Sequence, residues 1–338
     1  MFRPGKDFEL KVCNGFNMPP LLYNEAGRWR SVGFELEFSG LTIEQAGKAL
    51  EKALGGELQQ ESVAKSVLHV EELGTFNIEI DWNYLKVKAA EEAEGQQEPS
   101  QWLDLLKQSA AILVPVEIVC PPIPLDRLES LSPMIASLRE SGAVGTDDSM
   151  IAAYGLHINA EIPRLDATTL FAFLRAFSLL QWWLVDEHKV AFSRKLSPYI
   201  DLYPESYLNT LFSCSGPSMD QLMSDYLAHN ASRNRALDML PLFSEIDDGR
   251  VSQAVDDDKI QGRPAFHYRL PDCRIEQPEW SLQNAWNCWL IVEQLAEKSA
   301  AMEMLGEKFL SMERPLLGVS RRDWTELIDQ WISDQLLA

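Results

Sequence analysis

The chain has 338 residues and sets 30 Lys and Arg against 51 Asp and Glu, a formal net charge of -21, so its field repels polyanions and excludes nucleic acid and anionic membrane surfaces as expected partners. Hydrophobic residues at 46% and charged residues at 24% are globular proportions, which exclude a fibrous or wholly disordered chain. The five cysteines form no CxxC pair, so neither a disulfide framework nor a thiolate zinc site is expected, and a cytoplasmic location fits best.

Residues 1–29 scatter Gly and Pro without periodicity and read as an irregular lead-in with no secretory signal. From residue 30 to 338 no repeat and no linker divides the chain, so a single domain is expected. Ser31 to Phe38 alternates, with Val32, Phe34, Leu36 and Phe38 on one side and Glu35 and Glu37 on the other, as a strand with one apolar face requires. Thr42 and Gln45 stand at capping-box spacing before a helix that runs to Leu54. A second strand spans Phe76 to Trp82, placing Glu79 and Asp81 on its polar side. Polar residues 86–100 read as a loop, followed by a helix from Trp102 to Leu113.

Val114 to Val119 is a third strand with Glu117 on its polar side, closed by Pro121 and Pro122, and Leu125 to Glu140 is helical in pattern. Leu156 to Glu161 is a fourth strand, presenting His157, Asn159 and Glu161 together. The apolar run from Ala167 to Glu187 is interrupted by Arg175 and Gln181 and reads as a buried helix, with no membrane crossing. The acidic, glycine-containing stretch 244–263 is expected to be a loop. Ala265 to Leu270 and Arg274 to Glu276 read as short strands, and Trp280 to Met304 and Arg322 to Leu336 as closing helices with Trp286 and Trp289 in the core.

The polar positions of these strands are almost all acidic: Glu35, Glu37, Glu79, Asp81, Glu117 and Glu276, with His157 among them. A merely solvated face would mix Lys, Thr and Ser with its acids, and like charges on one sheet surface repel unless a cation compensates them. Carboxylates with one histidine suit Mg2+ or Mn2+, and so many ligands imply two or three ions bridged by a nucleotide. Arg194, Arg233, Arg235, Arg269 and Arg274 lie near the same elements, and guanidinium groups grip phosphates. Acids for metal and arginines for phosphate point to phosphoryl transfer. Neither GxxxxGK[ST], GxGxxG nor GxSxG occurs, and Cys120 has no neighbouring histidine, so it is expected to be a packed thiol.

The segment from Arg30 to Gly40, with its Glu35-Leu36-Glu37, resembles the opening strand of the amidoligase family. Glu117-Ile-Val-Cys-Pro-Pro is similar to that family's Glu-Ile-Val-Ser-Pro-Pro strand and Gly155-Leu-His-Ile-Asn to its glycine and histidine strand, the likeness running from about Arg30 to Leu290. Cys120 stands where the family has serine, and Asp81-Trp-Asn where it often has Asp-x-Ser, which leaves Glu79 and Asp81 both open as ligands.

The resemblance implies an α+β fold like that of glutamine synthetase, a curved antiparallel sheet with helices packed on one face. It also implies ATP and two or three Mg2+ ions, or Mn2+, at the site. By the same carry-over Glu35, Asp81 and Glu117 would hold one set of ions and Glu37, His157 and Glu276 another. Arg194, Arg235, Arg269 and Arg274, with Asn159, would hold phosphates. The expected reaction joins a small-molecule or peptide carboxylate to an amine through an acyl phosphate. A kinase acting on a nitrogen or carboxylate, and a non-catalytic interaction protein on a relic ligase fold, stay open, as do a homo-oligomer and a protein substrate.

Overall fold

A computed structural model describes residues 15–80, 115–146, 154–195, 198–257 and 259–337. Ser31–Phe38 (β1) forms as its alternation dictates, with Val32, Phe34, Leu36 and Phe38 at most 1% exposed and Glu35 and Glu37 half-buried on the opposite face. Eight further strands join it: β2 Glu57–Ser62, β3 Lys65–Val70, β4 Gly74–Ile80, β5 Val116–Val119, β6 Ile123–Pro124, β7 Leu156–Ala160, β8 Leu237–Asp238 and β9 His267–Tyr268. They make one sheet in the order β2-β3-β4-β5-β1-β7-β9-β8, with β6 beside β1, and every pairing is antiparallel.

The described helices are α1 Ile43–Leu54, α2 Ser132–Glu140, α3 Ala167–Glu187, α4 Phe192–Lys195, α5 Glu205–Ser213, α6 Met219–Asn230, α7 Leu240–Ala254, α8 Leu282–Ala296, α9 Ser299–Ser311 and α10 Arg321–Leu337. Thr42 caps α1 in the expected capping box with Gln45. Aromatic side chains bind α3 and α8 to the apolar side of the sheet: Phe173 stacks on Phe266 at 4.7 Å and Trp289 lies 5.1 Å from Tyr268. Helix α3 is long and apolar enough to cross a membrane, and here 78% of its apolar window is buried inside the fold.

Arg30, at the entrance to β1, locks this arrangement. Its guanidinium makes a two-pronged pair with Glu293 of α8 at 2.7 and 2.8 Å and donates to the main-chain oxygens of Glu161 and Leu21 at 2.8 Å each, and the Trp289 indole also donates to Glu293 at 2.8 Å. Both charged partners are almost wholly buried.

Several expected boundaries move, for physical reasons. The stretch 244–263, expected as an acidic loop, is helical through Ala254, because Phe243 and Val251 are buried and outweigh the surrounding charge. Its acidity shows instead as a kink at Asp247, whose side chain caps the restarted helix at the Arg250 N–H. Arg274 to Glu276 is not a strand but a turn closed by the Gln277 N–H on the Arg274 carbonyl. The helix expected from Trp280 to Met304 is two helices, turning at Glu297 and Lys298 with no proline or glycine to announce the corner. Leu125 to Leu131 is a tight 3-10 turn before α2, which starts where Pro133 needs no N–H partner. The edge strand β2 offered no alternation to read, since Glu57–Ser62 has a single apolar residue. The expected helix 102–113 and Asp81 lie outside the described residues.

Candidate metal centre on the acidic face

Strand register decides which acids meet. Glu37 lies opposite Glu117, and Glu117 opposite Glu79, so three carboxylates form a row across β1, β5 and β4. Directly opposed side chains on one face have Cβ atoms about 4.5–5.5 Å apart, close enough for two carboxylates to share one cation. On the other flank of β1, Glu35 lies opposite His157 and Gly33 opposite Asn159.

Glu35 is gripped from both sides. His157 Nδ1 is 2.8 Å from Glu35 Oε2, and the Asn159 amide donates to Glu35 Oε1 at 2.8 Å. Burial works to raise the Glu35 pKa, but the neighbouring His267, the His157 hydrogen bond and the Asn159 amide together hold it well below the usual carboxylate range. An ionised carboxylate only accepts, so the hydrogen-bond network assigns a His157 proton to Nδ1, and in the neutral imidazole the lone pair is then on Nε2. That nitrogen stands 3.8 Å from Glu37 Oε1. A carboxylate that fixes a histidine tautomer so that the far nitrogen can ligate is the usual support of a metal-binding imidazole.

Glu37, Glu117 and His157 each offer a ligand atom, all within 4.8 Å of one another. Two hard carboxylates and one imidazole with its outer partner in place fit Mg2+ or Mn2+. Gly155 permits the close approach: its N–H donates to Glu37 Oε2 at 2.7 Å, and a Cβ there would come within 3.2 Å of His157 Nε2 and 3.1 Å of Arg194 Nη2.

Residues 28–291 match the amidoligase enzyme family, well over half of the chain. The chain belongs to the amidoligase family. No curated protein and no solved structure matches it. The matched span runs from just before β1 into α8 and so contains every acid of the row.

The chain also has a second group, Glu35, His157 and His267. His267 is 6% exposed, its Nε2 meets no hydrogen-bond partner, and it lies 3.8 Å from Glu35 Oε2. Burial, then the charge of Arg269, holds the His267 pKa well below the ordinary imidazole value, so the ring is neutral. Arg263 Nη2 is 3.4 Å from His267 Nδ1, and a guanidinium can only donate, so the His267 proton sits on Nε2, facing Glu35. A proton-bearing nitrogen does not ligate. With His267 neutral, its Nε2–H directed at Glu35 acts together with the hydrogen bonds from His157 and Asn159 to stabilise the ionised carboxylate. The structure brings Glu37 together with Glu117 and His157, and sets Glu35 against His157 Nδ1.

Glu276 stands apart from both groups, its Oε2 accepting the Gly145 N–H at 2.9 Å. Asn159, expected to touch a nucleotide, instead holds Glu35 and accepts from Arg263 at 3.1 Å. The arginines divide. Arg194 donates to the Pro271 and Arg269 carbonyls and pairs with Asp272 at 3.4 Å, and Arg274 donates to the Lys189 carbonyl and to Asp272 at 3.3 Å. Arg235 is spent on the carbonyls of Leu202 and His229 at 3.0 Å each, and Arg233 pairs with Asp257 at 3.4 Å. Arg269 differs: it is 7% exposed, its side chain donates to no described residue, and Asp238, Glu35 and Glu37 are near enough to favour its charge. Cys120 is packed as expected, with burial pushing its thiol pKa up.

His267 and Arg263 escaped the sequence reading. For His267 a signal existed, since Phe266, Tyr268 and Leu270 alternate with His267 and Arg269 and so put both polar residues on the acidic face.

Asp238 yields a pH prediction. Burial pushes its pKa up to about 6 against the pull of Arg269, from an ordinary 3.8. A folded value above the unfolded one means that protonation favours the fold, so this contribution is complete below about pH 4 and is lost as pH rises through about 6. Asp238→Asn keeps an oxygen to accept the Leu240 N–H, a bond of 2.9 Å in the wild type, and cannot ionise. Thermal melts are expected to show the variant gaining on the wild type between about pH 4 and about pH 7.5; a constant difference would contradict the assignment.

Proposed function

We propose that this amidoligase uses ATP to join a carboxylate to an amine, the γ-phosphoryl group passing first to the carboxylate oxygen and the amine then displacing phosphate to leave an amide. The observation that carries the proposal is the row of Glu79, Glu117 and Glu37 closed by the bare Nε2 of His157. Three potential ligands, Glu37, Glu117 and His157, come within 4.8 Å of one another there, with Glu79 next in the row. Divalent cations held by Glu37, Glu117 and His157 would neutralise charge on the phosphates during transfer.

The protein's own groups do the rest. Glu35, fixed by Asn159, keeps the His157 tautomer correct. Arg269, without a hydrogen-bonding partner among the described residues, offers its guanidinium to an oxyanion on the transferring group or the substrate carboxylate. The Nε2–H of His267 supplies a neutral donor beside it. Asp238 lies close to Arg269 and favours its charge.

The test is phosphate release from ATP with Mg2+ across pooled amino acids, polyamines and peptides. Release that requires a carboxylate and an amine together, and that falls at least about tenfold in Glu35→Gln, is the expected result. Release with a phosphorylated product and no amine requirement would make the protein a kinase. Turnover unchanged in Glu35→Gln would sink the site assignment.

A further inference from the structure

On the side of the sheet away from the acids, α3 and α9 border a cavity of about 590 Å3. Phe171, Phe173 and Met302 are buried along its wall, and Arg164, Ser299 and Glu303 are exposed at its rim. Arg175 also lines it. That residue is 9% exposed, its guanidinium carbon is 5.4 Å from the Phe171 ring centre, and its Nε meets no partner. Among the described residues nothing forms an ion pair or hydrogen bond with its side chain. Gly306 of α9 leaves the guanidinium its room, since a Cβ there would lie 2.8 Å from Arg175 Nη2.

A largely buried guanidinium with no hydrogen bond or ion pair is costly, and the nearby Glu303 and Glu307 favour its charge without bonding it. Arg175 could have been a leucine if the position served only the core. The first turn of α3 is already capped by Asp166, whose side chain accepts from the Thr169 N–H at 2.8 Å, which leaves Arg175 as the buried cation of the lining. Arg175 thus favours an anion, and the aromatic and methionine wall favours an apolar body attached to it.

We propose that this cavity binds a small carboxylate with an apolar body, the carboxylate accepting from Arg175 and the body lying against Phe171, Phe173 and Met302. Its size suits one such molecule. A bare phosphate would leave the apolar wall uncovered. Glu303 at the rim can pair with an α-ammonium, so an apolar amino acid and a simple aryl acid share the chemistry. The site is separate from the acidic face and does not depend on the proposed ligase reaction.

Titration calorimetry of the full chain with L-phenylalanine and with 3-phenylpropionate tests this. Saturable binding of at least one probe is expected, and the tighter one identifies the source as amino acid or simple acid. Arg175→Met keeps the apolar stem, is expected to melt no lower than the wild type, and should bind more than about tenfold more weakly. Ser299→Trp, at an exposed rim position, narrows the mouth and should weaken binding without touching the core. Glu37→Gln should bind as the wild type does, which separates this cavity from the metal centre. The proposal is overturned if neither probe saturates by ~10 mM, if 3-phenylpropanol binds as well as the acid, or if Arg175→Met and Ser299→Trp both bind like the wild type.

Discussion

Glu37→Gln is expected to reverse the thermal ranking of mutant and wild type according to whether a divalent cation is present. Without metal, Glu37 faces Glu117 across β1 and β5, and Glu117 faces Glu79; removing the charge at the β1 end of the row relieves repulsion on Glu117 and should raise the melting temperature slightly. The amide still offers an oxygen to the Gly155 N–H, so the backbone contact at 2.7 Å can persist. With Mn2+ at 100 times its Kd the wild type gains about 2.7 kcal/mol of stability and the variant almost none. Affinity should fall by at least about 100-fold, because even an outer partner of a metal ligand is worth about 10- to 100-fold. Glu35→Gln, which orients His157 without ligating, should show that smaller loss. Differential scanning fluorimetry with and without Mn2+ reads both; a variant that melts below the wild type in chelator and responds equally to Mn2+ would contradict the site.

Arg30→Met should be the most destabilising single change in the fold. It strands the Glu293 carboxylate, almost wholly buried, with only the Trp289 indole as donor. Breaking a buried pair from one side costs about 3–5 kcal/mol, because the remaining charge is left uncompensated. Arg30 also satisfies the carbonyls of Glu161 and Leu21, which adds to the loss. The double variant Arg30→Met with Glu293→Met should recover most of the stability, since well-packed apolar side chains often replace a buried ion pair at no net cost. Urea unfolding of the four species gives the coupling energy directly; additive losses would mean the two residues do not act as a pair.

Much of the acidic face could be read from alternation alone. Glu35, Glu37, Glu117 and His157 each sit one residue from a core side chain, and a period of two leaves a strand residue no other side to occupy. Thr42 and the long apolar run of α3 were likewise local signals, carried by residues near one another in the chain. What stayed hidden was register. That Glu37 rather than Glu35 meets Glu117 depends on how β5 slides against β1, a long-range choice that no window of sequence contains.

The contacts of the arginines are hidden for a related reason. Arg194, Arg235 and Arg274 are chemically fit for phosphate, yet each folds back onto carbonyls of loops distant in sequence, including Pro271, Leu202 and Lys189. Only the backbone course decides that. Glu276, expected in a strand, lies in a turn, and its carboxylate accepts the Gly145 N–H.

The most direct test is diffraction from crystals soaked in Mn2+, with anomalous maps to locate the ion. A peak within bonding distance of Glu37, Glu117 and His157 Nε2, absent in crystals of Glu37→Gln, is the expected outcome. A bound ion elsewhere with that pocket empty, or ligation through His157 Nδ1, would refute the assignment.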